Sequence, residues 1–466
     1  MNAWAWDEIA RLAGGAWHIA PESGPCAFVG VSIDTRSIQP GQLFFAFHGE
    51  QVDGHDYLRN AQDRGAAACV VTHGDRVPEQ IKIPVLAVGD ALDAMTRLAS
   101  AWRDRIRAKV IAITGSNGKT TTCRLMQGVC SAAGKTHASP KSFNNALGVP
   151  ITVLNTPIDA EFLVAEVGMS TPGEIAARTQ LLRPDIAIIS SIGRAHLEGL
   201  GSIENIAKEK ACLISTAPPA TVGVIPHGIG SLDAALVGDP HRIVRLDDRF
   251  KLETSDADGC AFSIDEASFR VPIPGNHNAH NAGLCVLAAR ELGISDETTR
   301  AGLARATPPA MRFQRVEIET SGAPIIVIND AYNANPDSMR AALATFVEIV
   351  VPARKIALLG EMLEMGAIAP AEHQSLANHA LGDESIDRVI MLGESFAGVR
   401  IEGPRGMIIA DSSDDAIARV AGSILPGDTV LIKGSRGVKL ERLIDKLGDL
   451  HASGRSKRQD NAQTNA

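Results

Sequence analysis

The sequence has no C-x-x-C pair among its seven cysteines, and most of these lie in apolar stretches such as AAACVV and AGLCVLAA. They read as reduced core residues rather than a disulfide framework. No run approaches the roughly eighteen consecutive apolar residues that a membrane span needs, which excludes a transmembrane helix. Basic charge is not in excess: 45 Lys and Arg stand against 54 Asp and Glu, a formal charge of −9. A general polyanion-binding surface is thereby disfavoured, so no nucleic-acid partner is expected and any phosphate must be held by a local site. The start, MNAWAWDEIARLAGG, puts Asp7 and Glu8 where a secretory signal carries basic residues, so the expected location is cytoplasmic. No internal repeat is present. What the chain does have is 466 residues, 45% apolar and 21% charged, with 43 Gly and 24 Pro spread along it. That is a globular profile rich in turns, and at roughly 150 residues per domain it implies about three domains.

Local patterns divide the chain accordingly. Residues 1–107 mix strand-like runs (GQLFFAFHG, AAACVVTH, PVLAVG) with a helical stretch, ALDAMTRLASAWRDRIRA, whose basic end closes a first domain. Over 108–310 strands and helices alternate. VIAIT leads to a helix from Lys119 to about Ala133, FLVAEVG to a helix from Pro172, and IAIISS follows. Such alternation predicts a parallel sheet. Thr171-Pro172-Gly173-Glu174 reads as a capping box with Pro at the first helical position. Residues 242–273 read as short antiparallel strands, ahead of an Ala-rich helix from about His277 to Leu292 that Gly293 ends. In 311–453 the alternation resumes with IIVIND, a helix after Asn335-Pro336, KIALLG, DRVIMLG, a helix around 414–424 and TVLIKG, a second α/β domain. Residues 454–466, polar and aperiodic, read as a disordered tail.

The strongest local signal is VIAITGSNGKTTT at 110–122: a β-branched strand, a Gly-containing turn, then Lys-Thr opening a helix. The N–H groups of such a turn cradle phosphates, Lys119 would neutralise their charge, and the Thr120 hydroxyl would ligate Mg²⁺. The strict G-x-x-x-x-G-K-[ST] pattern fails at its first position, which is Ile113. ATP is the leading ligand, but a phosphate loop alone leaves kinase, switch GTPase, transport ATPase and ligase open. Glu166 ends FLVAE and His196 follows IAIISS. Both therefore stand at strand C-termini, where open α/β sheets place their sites, and both are metal-ligand candidates.

Five segments then carry a resemblance: T-G-S-N-G-K-T-T at 114–121, S-F-N-N-A-L-G-V-P at 142–150, E-V-G-M-S-T-P-G-E-I at 166–175, A-H-L-E-G-L-G-S at 195–202, and D-A-Y-N-A-N-P-D-S-M at 330–339. Together they resemble the Mur ligases, the ATP-dependent amide ligases of bacterial peptidoglycan synthesis, over essentially the whole chain apart from the tail. The Asn-rich and G-E-I segments resemble the branch that adds D-Ala-D-Ala, and the D-N-P-R motif of the diamino-acid-adding relatives is absent. The resemblance implies a three-domain α/β architecture. A UDP-muramoyl-peptide-binding domain would occupy 1–107, a central parallel-sheet P-loop ATPase domain 108–310 and a C-terminal Rossmann-like domain 311–453.

It also implies roles for individual residues. Thr114, Gly115, Ser116, Asn117, Gly118, Lys119, Thr120 and Thr121 would form the phosphate loop, while Thr120, Glu166, His196 and a carbamylated Lys210 would hold Mg²⁺. Lys210 follows His196 by the family's spacing, yet the I-A-K-E-K text leaves Lys208 as its competitor. A carbamate would turn a cation into an anionic metal ligand. Asn278 and Asn281 resemble the adenine-side segment, with helix capping as the plain alternative. Arg312, reached through P-P-A-M-R where the family has P-G-R, resembles the catalytic and nucleotide-binding arginine. Asp330, Tyr332 and Asn333 resemble the C-terminal nucleotide contacts. Asn144 and Asn145 would orient the γ-phosphate or the acceptor carboxylate. In the first domain Thr35, Arg36 and Ser37, with Asp53, Gly54 and His55, resemble the uridine-nucleotide site, although such residues also form turns.

The implied reaction is ATP-driven amide formation. The carboxylate of UDP-N-acetylmuramoyl-tripeptide would take the γ-phosphoryl group to form an acyl phosphate, which the amine of D-Ala-D-Ala would open. Closure of the C-terminal domain over ATP is expected, since an acyl phosphate must be kept from water, and a monomer is expected. Against this stand a folylpolyglutamate synthetase-like ligase, a regulatory P-loop ATPase and a sugar-nucleotide binding module.

Overall fold

The β-branched segment Lys109–Thr114 is buried along five of its six residues and forms the middle of an all-parallel sheet. This computed structural model describes residues 2–463 apart from 23, 24, 141, 196, 257 and 350–352. For residues 2, 3, 25–28 and 453–463 it describes the backbone alone. The central sheet runs Arg242–Leu246, Val222–Pro226, Ile186–Ile189, Lys109–Thr114, Phe162–Glu166, Thr136–Ala138. Side chains alternate across it. Val110, Ala112, Leu163, Ala165, Ala187 and Ile189 face one core, whereas Ile111, Ile113, Val164, Ile186 and Ile188 face the other. A strand buried on both faces needs this continuous apolar run. The chain leaves the middle strand with a neighbour on each side, so the loop after Thr114 lies at a topological switch point.

The first segment adds a two-stranded sheet and a five-stranded one in the order Ala16–Ile19, Val85–Ala87, Ala68–Val71, Leu43–Phe45, Val31–Ser32. Its helix Ala91–Arg105 packs Leu98 and Trp102 into the same core as Val149, Leu154 and Leu182 of the central segment. The Trp102 indole N–H donates to the Thr156 carbonyl at 3.0 Å, and Asn155 bonds both backbone groups of Val31. The third segment builds a six-stranded sheet, Gln314–Ile318, Ile325–Asn329, Thr429–Lys433, Lys355–Gly360, Arg388–Leu392, Gly406–Ile409, antiparallel only at its first pair.

Several local expectations need correction. The helix placed from Pro172 starts at Glu174, because Gly173 at φ 86° takes the cap position. Of the capping box, the reach-back half is present, Glu174 Oε2 accepting from the Thr171 N–H at 3.1 Å. Arg242–Leu246 is not one of the antiparallel strands; it closes the central sheet in parallel with Val222–Pro226, and only Phe250–Asp256, Gly259–Ile264 and Ala267–Val271 pair antiparallel. Cys212 is half-buried, whereas Cys69, Cys123, Cys130, Cys260 and Cys285 are buried free thiols. The last helix, Arg442–Gln463, runs through 454–463, where a structureless tail was expected.

Candidate active site

The loop after the middle strand turns at Gly118 (φ 81°), which caps the helix Lys119–Ala133. A Cβ there would stand 2.7 Å from Asn281 Oδ1, so only glycine lets the loop meet the helix Asn276–Glu291. Above this junction opens a cavity of about 780 Å³ between the central and C-terminal segments. From the central segment Ser116, Asn117, Gly118, Lys119 and Thr121 line it, with Asn144, Asn145, Glu166, Asn278 and Asn281 beside them. From the C-terminal segment come Arg312, Asp330, Tyr332 and Asn333. Thr114, Gly115, Thr120 and Lys210 are buried and do not line it.

Lys119 donates to the Gly115 carbonyl at 2.8 Å. Burial pushes its ammonium pKa down, with a further push from Arg312, while Glu166 opposes both. Two cations facing an enclosed space make a receptor for an anion, which would relieve both. Glu166 is fully buried; its Oε1 accepts from Asn144 Nδ2 at 2.7 Å, but its Oε2 has no hydrogen-bond partner. An orphaned carboxylate oxygen in a buried place is costly unless a cation takes it. The Thr120 and Ser142 hydroxyls, 3.4 Å apart, offer two more oxygen donors where the helix leaves the loop. Such donors fit Mg²⁺. Among the described residues no three His, Cys, Asp or Glu side chains gather as a metal cluster, and His196 lies outside them.

The helix Ile203–Ser215 buries Ile206, Ala207, Lys210, Ala211 and Ile214 on one face. Lys210 is 1% exposed, whereas Lys208 points to solvent. Burial, then Lys119, drives the Lys210 pKa well down against the pull of Glu209. Glu209 also anchors a neighbouring helix. Its carboxylate accepts the Gly173 and Ile175 N–H groups, each at 2.9 Å, fixing the start of the Glu174 helix against the Lys210 helix.

Met311 (φ 58°) and Phe313 (φ 54°) flank Arg312 in the left-handed region, which replaces the missing Gly of the linker with two strained residues. The Arg312 guanidinium lies 4.3 Å above the Tyr332 ring. Asp330 holds the linker, Oδ1 accepting the Phe313 N–H at 3.1 Å while Oδ2 takes the Lys433 ammonium at 2.7 Å. Lys433 also reaches the Asn333 carbonyl at 3.1 Å. Asn278 Nδ2 is committed to the Pro274 carbonyl at 2.7 Å. His277 lines the cavity too, where partial desolvation lowers its pKa, with Asp330 opposing and Lys433 assisting. Sequence reading missed Lys433 and His277, although Lys433 ends the strand in TVLIKG and so carries the strand-end signal used for Glu166.

The first-domain candidates do not join this cavity. Arg36 is exposed and pairs with Asp34 at 2.7 Å; Thr35 is buried, and Ser37 donates its N–H to the Asp34 carbonyl. Asp53 caps Gly54–Tyr57 and binds His55, His48 and Arg76, which together hold its carboxyl far below the usual range, the His55 N–H foremost. The buried His55 ring bridges Asp53 and the Thr72 N–H.

Comparison with known proteins gives a consistent result. The Mur ligase middle domain matches residues 113–289, the Mur ligase glutamate ligase domain 311–436, and the Mur ligase family catalytic domain 27–103. The UDP-N-acetylmuramoyl-tripeptide--D-alanyl-D-alanine ligase of Bacillus subtilis is 33% identical over 433 residues, spanning 90% of this chain and 93% of that protein. The crystal structure of MurF from Acinetobacter baumannii superposes with a TM-score of 0.81 at 25% identity, over 96% of this chain and 99% of that one. MurF ligase from Thermotoga maritima, solved in complex with ADP, shares the fold with a TM-score of 0.75 at 22% identity, over 90% and 97%. The chain therefore belongs to the Mur ligase family, in its MurF branch.

Proposed function

We propose that this ligase joins D-Ala-D-Ala to UDP-N-acetylmuramoyl-tripeptide with ATP, through an acyl phosphate, releasing ADP and phosphate. The observation that carries the reading is Lys119 and Arg312 facing one enclosed cavity, with the orphaned Glu166 oxygen and the buried Lys210 beside the phosphate loop. ATP enters with its phosphates on the N–H groups of 115–121 and its base toward Asn278 and Asn281. Lys119 and Arg312 neutralise the γ-phosphate, so that a second anion, the tripeptide carboxylate, approaches without net repulsion. Asn144 and Asn145 orient that carboxylate. Asp330 holds the linker so that Arg312 stays over Tyr332, and Tyr332 and Asn333 flank the ribose side.

Glu166, Thr120, His196 and Lys210 would hold Mg²⁺, which supplies charge neutralisation at the phosphates. Lys210 serves as a carbamate in this reading. Its depressed pKa supplies the neutral amine that attacks CO₂ and loses a proton, leaving an anionic oxygen pair. Thr35, Arg36, Ser37, Asp53, Gly54 and His55 form the uridine-diphosphate end of the substrate site, within a first domain of 1–107 that precedes domains at 108–310 and 311–453. The enzyme works in the cytoplasm as a monomer. The test is phosphate release with Mg²⁺-ATP, UDP-muramoyl-tripeptide and D-Ala-D-Ala, omitting each in turn and weighing the product. Release that needs every component and yields a pentapeptide product supports the reading; release indifferent to both substrates overturns it in favour of a regulatory ATPase.

A further inference from the structure

The C-terminal domain meets the rest of the molecule without sharing an apolar core. Among the described residues, two core clusters contain side chains only from Phe313 onward, and the other three reach no further than Ala306. Polar groups gathered at the start of the helix Pro336–Glu348 span the junction. Asn335, its N-cap, donates from Nδ2 to Asn117 Oδ1 of the phosphate loop at 2.7 Å. Asp337 Oδ2 accepts the Arg194 backbone N–H at 2.9 Å. A Cβ on Gly193 would stand 2.5 Å from that same oxygen, so a larger residue there would push the Asp337 carboxylate aside. The Arg194 guanidinium pairs with Glu372 Oε1, while Arg340 holds Glu372 Oε2 at 3.0 Å from within the C-terminal domain.

These contacts reach the phosphate loop directly. Segment 190–195, which carries Arg194, also grips Asn117: the Ser190 and Ser191 hydroxyls donate to the Asn117 carbonyl at 2.5 and 3.0 Å, and the Asn117 N–H donates to Ser191 Oγ at 2.8 Å. Loop, segment and C-terminal helix form one hydrogen-bonded chain. Among the described residues, the Arg194–Glu372 pair is the link of this chain that joins formal charges across the junction. The Glu372 side chain is 13% exposed, so its charge is partly shielded from solvent, and Arg340 fixes its carboxylate in advance. When the domains part, Arg340 still satisfies Glu372, so opening strands no buried charge and the contact stays reversible.

We propose that Arg194 and Glu372 form an interdomain clasp that sets how often the C-terminal domain is closed on the phosphate loop. Arg194 is a positioning residue: it holds in place the domain whose entry loop carries Arg312. The clasp concerns closure on nucleotide and is independent of which amide is made.

The test is small-angle scattering of the full chain titrated with Mg²⁺ and a non-hydrolysable ATP analogue, without peptide substrates. Arg194→Ala and Glu372→Ala are expected to need about five- to tenfold more nucleotide to reach the compact profile, and the double variant no more than either single one. Arg194→Lys recovers part of the shift, since it keeps charge but not the fork. In ligation assays the Arg194→Ala KM for ATP rises by a similar factor, with kcat at saturation within about twofold. Glu372→Gln, nearly isosteric, serves if the alanine variant fails to fold. Folded variants that titrate like the parent, or single shifts that add in the double variant, overturn the clasp. A parent that closes on nucleotide but makes no pentapeptide product overturns the proposed substrates and leaves the clasp standing.

Discussion

An ammonium held among apolar side chains gives up its proton more readily than one in water, and on the helix Ile203–Ser215 only Lys210 is so held. Its neighbour Lys208 differs only in facing outward. Lys210→Ala is expected to lower ligation about a hundredfold or more, partly restored by added short carboxylic acids that replace the carbamate, whereas Lys208→Ala stays within about twofold. Phosphate-release rates with and without added acid check this. The sequence left Lys208 as a competitor because its reading rested on the distance from His196 alone; which lysine is buried follows from the helix face that Ile206, Ala207 and Ile214 share with Lys210. The cavity histidine gives a second prediction. Partial desolvation holds the folded His277 pKa below its ordinary value of 6.5, so over the range just beneath that value the unfolded chain binds the extra proton. Stability from this residue is therefore intact above pH 6.5 and declines as pH falls below it. His277→Gln should flatten that part of the profile, read from urea midpoints at pH 7, 5 and 4.

Between elements, packing distance decides what substitution is allowed. The helices Lys119–Ala133 and Asp296–Ala304 cross at Gly128 and Gly302, where a Cβ on Gly302 would lie 2.5 Å from the Val129 Cα. Backbone cannot yield there as a flexible side-chain end can. Gly302→Ala should cost about 1–3 kcal/mol despite the better helix propensity of alanine, as measured by chemical denaturation. It also presses on the helix that opens at Lys119, so nucleotide affinity should fall with stability. Strands and helices of the two α/β domains were legible because alternation and caps are local; Asn335 indeed caps its helix with Ser338 in a reciprocal box. The parallel edge strand Arg242–Leu246 and the left-handed turns at Met311 and Phe313 were not, because sheet membership and backbone strain depend on distant partners. The same holds for Lys433, whose role exists only once Asp330 stands beside it.

Over the whole molecule, apolar burial is divided unequally among the three segments. The first and central segments share a core that includes Trp4, Val31, Trp102, Val149 and Leu182, so neither can lose its packing without exposing the other. Among the described residues, the C-terminal segment keeps its core to itself and meets the central one through hydrogen bonds and the Arg194–Glu372 pair. Cooperative unfolding follows shared burial, so a three-domain chain built this way should behave as two units. Calorimetry of the nucleotide-free protein is expected to show two transitions, one for the joined first and central segments and one for the C-terminal segment. Trp102→Ala should lower only the first, because its indole packs and bonds within the joined pair. A nucleotide analogue that lies between Lys119 and Arg312 binds only when both units are folded, and must draw the two transitions together as its concentration rises. A single transition in the free protein, or two that nucleotide moves independently, would mean that the polar junction couples the domains far more, or the nucleotide far less, than this division of the core requires.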